Sequence, residues 1–221
     1  MAKKNHLKKD KNILYTGFGD NGTTTLFDCK QNRISKSALV IEALGSIDEL
    51  NAYLGIMKVY SEIDKITLHG TKSPNKNKLQ KPPSLAGNSS KAGKNYSQII
   101  EDIQQNLFVI QAELGGSKMS VGKNELNKIE NIINQIGEIL PPITSFTISG
   151  GSIISSGLDF ARTLARKSER RVISVLEEGM RVIDPKTISY LNRLSSVLFA
   201  LSRYANFIYS IPENHPDYNK K

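Results

Sequence analysis

Residues 158–176, LDFARTLARKSERRVISVL, decide how this chain is read, because an apolar helical stripe runs through them and charge interrupts it. At ~100° per residue, Leu158, Ala165, Val172, Ile173 and Leu176 fall on one side of a helix. Arg162, Arg166 and Glu169 fall on that same side, with Arg170 at its margin, whereas Lys167, Arg171, Ser174 and Glu178 face the opposite way. A charge among core positions is costly unless it is paired or meets a ligand. Two arginines against one carboxylate leave a positive surplus, which suits a multiply charged anion such as a polyphosphate. A structural ion-pair network between helices is the competing reading.

Working outward, the 3.6-residue period appears in four further segments. A first helix is expected over about 37–61, with Ala43, Ile47, Leu50, Leu54 and Met57 inward, and a second over 97–115, with Ile99, Ile103, Leu107, Ile110 and Leu114. A shorter third covers 124–137 through Leu126, Ile129, Ile133 and Ile136. The charged-stripe helix is expected over 155–178, capped by Ser155 or Ser156. The last spans 185–209, with Asp184 as cap and Pro185 in its first turn, and continues through Ile188, Leu191, Leu198, Leu201, Ala205 and Ile208. Strand-like alternation is nearly absent. The prediction is an all-α, ferritin-like five-helix up-and-down bundle over residues 37–211. Residues 70–97, rich in Lys, Asn, Ser, Gly and Pro, read as a disordered insertion in a loop. Residues 1–13 read as a flexible basic tail and 212–221 as a C-terminal tail.

Composition bounds the function. The chain has 221 residues, 38% of them hydrophobic, and a formal charge of +9. No apolar run approaches the ~18 residues of a membrane span. The lysine-rich start lacks the apolar stretch of a secretory signal, and the single cysteine, Cys29, excludes an internal disulfide. A cytoplasmic protein is expected. No cluster of Cys with His has metal-ligand spacing, so no protein metal site is expected. The charge invites a nucleic-acid partner, but it is concentrated outside the helices. Residues 70–98 carry six lysines and no acid, and the first dozen residues carry five lysines against Asp10. The rest of the chain is close to neutral, which argues against nucleic acid as the main partner.

Two loops and one helix face carry further signals. Residues 15–26, YTGFGDNGTTTL, hold three glycines and four threonines, a composition that lets backbone N–H groups and hydroxyls converge on an anion. The GK[ST] element of a P-loop is missing. Residues 146–152, FTISGGS, place Gly150 and Gly151 just before the charged helix. On the first helix, Ile41, Gly45, Asp48, Ala52 and Gly55 form a second face where another helix can approach closely. A carboxylate in such a contact wants a cation, and Arg166 or Arg162 are the natural partners.

Five motifs in this order resemble the propanediol-utilisation-type ATP:cob(I)alamin adenosyltransferases: YTGFGDNGTTTLF, RISKSALVIEALGSIDELNAYLG, IEDIQQNLFVIQAELG, FTISGGSIISSGLDFARTLARKSERR and YLNRLSSVLFALSRYAN. The resemblance implies a homotrimer of five-helix bundles with active sites between subunits. It implies transfer of the 5′-deoxyadenosyl group of ATP to cob(I)alamin, giving adenosylcobalamin and triphosphate, with Mg²⁺ on the phosphates. Residues 14–36 would form the ATP-binding loop. Thr16, Gly17, Phe18, Gly19, Thr24 and Thr25 match nucleotide-binding positions, and Lys36 matches a phosphate-contacting lysine. Arg166, Glu169, Arg170 and Asn192 resemble the nucleotide-contacting set. Asp48 and Arg166 match a pair bridging subunits, and Arg162 matches an arginine needed for activity. Phe146 matches the aromatic that closes the lower face of the corrin and displaces its axial ligand, which eases reduction of Co(II) to Co(I). A reductase and an adenosylcobalamin-dependent enzyme are the implied partners.

Co(I) is itself the nucleophile, so the protein must supply alignment and neutralise the leaving group rather than provide a base. The chain departs from the family pattern at Gly17 and Asn21, where basic residues are usual, and at Lys167, which replaces the second arginine of an RR pair. Further departures are Ser149 for proline, Asp159 for histidine, Ser196 for aspartate, and two extra residues between Phe27 and Arg33. A non-catalytic corrinoid or nucleotide carrier on the same bundle is the alternative these departures leave open.

Overall fold

The computed structural model describes residues 14–28, 32–64, 66–67, 70–71 and 95–219. Its helices are α1 (Leu39–Asp64), α2 (Tyr96–Leu114), α3 (Lys123–Ile139), α4 (Ile153–Glu177) and α5 (Pro185–Ile208). Two short antiparallel ribbons accompany them: β1 (Thr23–Thr24) on β2 (Ile34–Ser35), and β3 (Ile66–Thr67) on β4 (Gly70–Thr71). The expected five-helix bundle is therefore present.

Cross-links between helices give their directions. Gln104 Nε2 donates to Asn51 O at 3.0 Å and Ser97 Oγ to Glu62 Oε1 at 2.6 Å, so α1 and α2 run antiparallel. Lys167 meets Glu49 at 2.6 Å, Ser168 Oγ donates to Ser46 O at 2.9 Å, and Arg171 pairs with Glu42, which sets α4 antiparallel to α1. Ser155 against Ser202 and Glu169 against Asn192 make α5 antiparallel to α4. α3 packs on α5, where Arg193 pairs with Glu130 at 3.0 Å. One continuous core joins Ile47, Leu50 and Leu54 of α1 to Ile103 and Leu107 of α2, Leu158 of α4, and Leu191, Leu194 and Leu198 of α5.

Four expectations need correction. The cap of α4 is Ser152, whose side chain accepts from Ser155 N at 3.1 Å, so the helix starts two residues before the predicted boundary. A hydroxyl caps best from outside the helix, and the Gly150–Gly151 turn puts Ser152 there. Second, the insertion does not extend to residue 97: Asn95 caps α2 in a capping box with Gln98, and Tyr96 is fully buried. Gly70 and Thr71 lie in β4, and residues 72–94 lie outside the described residues. Third, residues 211–219 are fastened to the bundle rather than forming a tail. Ile148 N donates to Asn214 O at 2.7 Å, and Arg203 pairs with Glu213. The expected flexible segment 1–13 lies outside the described residues.

The fourth correction concerns α4. Its buried face includes Ile154, Gly157, Leu158, Ala161, Leu164, Ala165, Ser168, Val172 and Val175, which turns the core side by roughly 45° from the residues used to predict it, at ~100° per residue. Arg166 and Arg170 are exposed, and Arg162 and Glu169 are half-buried. The arginines flank this chain's own core instead of interrupting it. Small residues set the orientation. The end of the Met57 side chain lies against Gly157 where a Cβ would stand, so the glycine makes room for that methionine between α1 and α4.

Candidate active site

The N-terminal loop folds back as a hairpin. Gly17 and Gly22 take φ of +69° and +78°, values that favour glycine. Asn21 Oδ1 accepts from Thr23 N at 3.2 Å and Thr23 Oγ1 at 2.7 Å, so Asn21 serves the loop itself. Arg33 closes the hairpin. Its Nε donates to Thr23 Oγ1 at 2.6 Å, and one Nη reaches Phe18 O at 2.6 Å and Thr23 O at 2.7 Å. The sequence assigns Arg33 no role; a guanidinium immediately before the Ile34–Ser35 strand carries no local signal of the carbonyls it will reach.

Lys36 stands at the head of this hairpin. Its backbone N–H donates to Gly22 O at 2.9 Å, and its Nζ lies so near Gly19 that an added Cβ would be 2.9 Å away. Thr16 Oγ1 accepts from Phe18 N at 3.4 Å, Thr25 and Phe18 are exposed, and Thr24 is half-buried in β1. The predicted set Thr16, Gly17, Phe18, Gly19, Thr24, Thr25 and Lys36 thus occupies one small ribbon. The ribbon's end is anchored to the bundle by Asp28, which meets Arg181 Nη2 at 3.1 Å and donates its N–H to Gly115 O at 3.3 Å.

A second group gathers beside α4. Phe146, Arg162 and Arg166 line one cavity of about 360 Å³ together with Thr147, Asp159, Ser196 and Phe199. Phe146 is 80% exposed, an unfavourable state for a phenyl ring that no neighbour among the described residues relieves. Buried Asp159 pairs with Arg162 Nε and aims it along the cavity wall. A mostly apolar cavity of about 480 Å³, lined by Ile133, Ile136, Leu140 and Ala200, adjoins it through shared Ile143, Ser196 and Phe199. Further along α4, Glu169 Oε1 accepts from Asn192 Nδ2 at 2.9 Å, and Asn192 Oδ1 accepts from Arg193 at 2.8 Å.

The two groups stay apart within one chain. Among the described residues, no hydrogen bond or ion pair joins residues 16–25 or Lys36 to α4. Asp48 is exposed on the outer face of α1, and Asp48, Arg166 and Arg170 have no side-chain partner among the described residues. Ile41, Gly45, Ala52 and Gly55 flank Asp48 on that face, which continues into exposed Ile56 and Val59. The titratable groups with shifted behaviour lie elsewhere. Burial raises the phenols of Tyr96 and Tyr190, which hold Leu201 O and Asn106 Nδ2 in the core, and raises Tyr204 to about 12. Among the described residues no three His, Cys, Asp or Glu side chains cluster as a metal site, and no helix is long and apolar enough to cross a membrane.

This arrangement has relatives. The family profile described as cobalamin adenosyltransferase matches residues 14–205, from the hairpin to the last turns of α5. The chain is 32% identical over 198 residues to the corrinoid adenosyltransferase PduO of Citrobacter freundii, a match covering 86% of this chain and 49% of that protein. It is also 32% identical over 194 residues to the corrinoid adenosyltransferase of Mycobacterium leprae, covering 87% of this chain and 91% of that one. The chain thus spans about half the length of the PduO relatives it matches. Its fold superposes with TM-score 0.71 on a variant of a PduO-type ATP:corrinoid adenosyltransferase from Lactobacillus reuteri complexed with cobalamin and ATP, at 24% identity and covering 95% of this chain and 98% of that one. With the match running through the hairpin, the Phe146 loop, α4 and Asn192, the chain belongs to the cobalamin adenosyltransferase family.

Proposed function

We propose that this chain is a corrinoid adenosyltransferase, which transfers the 5′-deoxyadenosyl group of ATP to cob(I)alamin and releases triphosphate. The observation that carries the reading is the convergence of Phe146, Arg162 and Arg166 on one cavity in a member of this family. Phe146 presents an exposed ring to the corrin's lower face, and the adjoining, mostly apolar cavity extends that surface. The triphosphate lies between Lys36 with the Gly/Thr hairpin on one side and Arg166 and Arg170 on the other. These cations neutralise charge that grows as the C5′–O bond breaks, while the cobalt electron pair forms the new Co–C5′ bond. Glu169 and Asn192, already bonded to one another, orient the nucleotide. Mg²⁺ binds to the phosphates and water and needs no carboxylate cage of its own; its role is further charge neutralisation.

The separation of the two groups within one chain supports a homotrimer with active sites between subunits. Asp48 sits on an exposed face of small residues and Arg166 on an exposed flank of α4, each without a side-chain partner among the described residues. Pairing Asp48 of one subunit with Arg166 of the next gives both charges a partner and brings a hairpin toward a neighbouring α4. A cytoplasmic setting, a reductase that delivers electrons, and an adenosylcobalamin-dependent enzyme that takes the product complete the reading.

The test is reductive adenosylation. Cobalamin, a strong reductant, ATP and Mg²⁺ are expected to give adenosylcobalamin, followed by its absorbance change. A well-folded trimer that gives no product would overturn the proposal, and calorimetric binding of adenosylcobalamin without turnover would then establish a carrier.

A further inference from the structure

The loop that carries Phe146, between α3 and α4, is held from outside by residues that follow α5. Ile148 N donates to Asn214 O at 2.7 Å. His215 Nδ1 lies 2.9 Å from Phe146 O and 2.8 Å from Ser145 Oγ, so the backbone of the exposed phenylalanine is gripped directly. Arg203 of α5 ties this segment to the bundle. Its Nε and Nη2 form a fork on the two carboxylate oxygens of Glu213, and Nη2 also donates to Pro141 O at 3.0 Å, where the loop begins. Arg203 is only 9% exposed and lies 6.0 Å from the Phe199 ring centre, and Phe199 lines the cavity that Phe146 faces. A guanidinium this buried keeps its fork in one geometry, because leaving it unpaired is costly.

We infer that Arg203, Glu213 and His215 are positioning residues: they strap the Phe146 loop against the cavity and so set where the phenyl ring stands. None of them lines the α4 cavity beside Arg162 and Arg166. Their effect passes through the backbone of residues 141–148. The inference rests on the reading of Phe146 as the residue that displaces the corrin's axial ligand, and it adds the residues that hold Phe146 in place. A ring displaced by about 1 Å loses much of its effect, since such misplacements lower rates by up to about a hundredfold.

Two arms test it on the full chain. In the first, cob(II)alamin with ATP is followed by absorbance and electron paramagnetic resonance for the form lacking an axial ligand. Glu213→Ala is expected to lower its yield about tenfold, Glu213→Asp to restore part of it, and the KM for ATP to stay within about twofold, because the hairpin is untouched. In the second, hydrogen exchange is read at the Ile148 amide, which Glu213→Ala should expose to faster exchange. Full yield of the ligand-free form in Glu213→Ala, or an equal rise in the KM for ATP, overturns the inference. A wild-type protein that never forms the species sinks the reading of Phe146 instead. The exchange arm still decides the strap in that case: unchanged protection of Ile148 in Glu213→Ala rejects it. Arg203→Ala should reproduce the Glu213→Ala pattern if it folds; Glu213, half-buried on the strap, keeps the test independent of that.

Discussion

The two ends of the described chain make opposite uses of the same bundle. Residues 14–28 join Ile34–Ser35 in a hairpin whose order is largely local: positive-φ glycines turn it, Asn21 ties it internally, Arg33 closes it, and Asp28 bonds it to the bundle at Arg181 and Gly115. Residues 211–219 have little order of their own. They are held by contacts to other elements, from Asn214 to Ile148 and His215 to Phe146 far away in sequence, and from Glu213 back to Arg203 of α5. The first end offers backbone and cations to a phosphate tail. The second lines no part of the cavity shared by Phe146, Arg162 and Arg166 and acts by restraining the loop that does. An end rich in glycine and threonine therefore need not be more important than one that reads as a tail.

Variants at each end should separate these roles. The largest expected effect is Lys36→Ala, which removes the cation at the hairpin's head and should lower kcat/KM for ATP about a hundredfold. Cob(II)alamin spectra should not change, and a comparable loss in both readouts would merge the two ends into one function. Next comes Asn206→Ala on the C-terminal side. Asn206 accepts from Ser152 N at 3.0 Å and donates to Gly150 O at 2.9 Å; its loss removes the partner of Ser152 N and leaves Gly150 O with Ser155 Oγ alone. A stability loss of about 2 kcal/mol is expected in urea unfolding. An unchanged midpoint would mean the Gly150–Gly151 turn holds itself. Arg33→Ala should be milder, with an approximately tenfold rise in the KM for ATP. Its melting temperature should match wild type, because the hairpin is exposed and outside the core.

The smallest effect belongs to the bundle that both ends share. Tyr96, Tyr190 and Tyr204 have phenols raised above the ordinary value of 10.0 by burial. Above pH 10 the unfolded chain releases these protons while the folded chain retains them, so stability is complete below that pH and declines as pH rises through the window above it. Alkaline titration followed by helical circular dichroism and tyrosinate absorbance should show ionisation and unfolding together. Tyrosinate appearing well before helix loss would show that these rings are not held in the core.

Much of the fold was legible because helices bury large apolar residues at a fixed period. The segments built on Ile47, Ile103, Ile129 and Leu198 form helices at the expected places, within a few residues at their ends. Asp184 and Pro185 marked the start of α5 because a cap and a first-turn proline act locally. The reading of α4 failed for the complementary reason. Leu158, Ala165 and Val172 are buried as read, but the face also runs through Gly157, Ala161 and Ser168, which a pattern of larger apolar side chains overlooks. The candidate site followed the same division. Phe146, Arg162 and Arg166 were named one by one, and the structure put them around one cavity. Arg33 and Arg203 were missed because each acts on carbonyls or a carboxylate that only the folded chain brings near.

By itself the sequence determined helix number and type, the two glycine turns, and the residue kinds that recur in a corrinoid-adenosylating family. Those properties rest on local backbone preference and on periodic burial, both of which act over a few residues. Tertiary structure alone decided which side of α4 faces the core, that Phe146, Arg162 and Arg166 share one cavity, and that the C-terminal residues brace the Phe146 loop. These depend on how closely helices approach and on pairings across scores of residues. Such pairings form only once the chain has been compacted, so no local pattern records them.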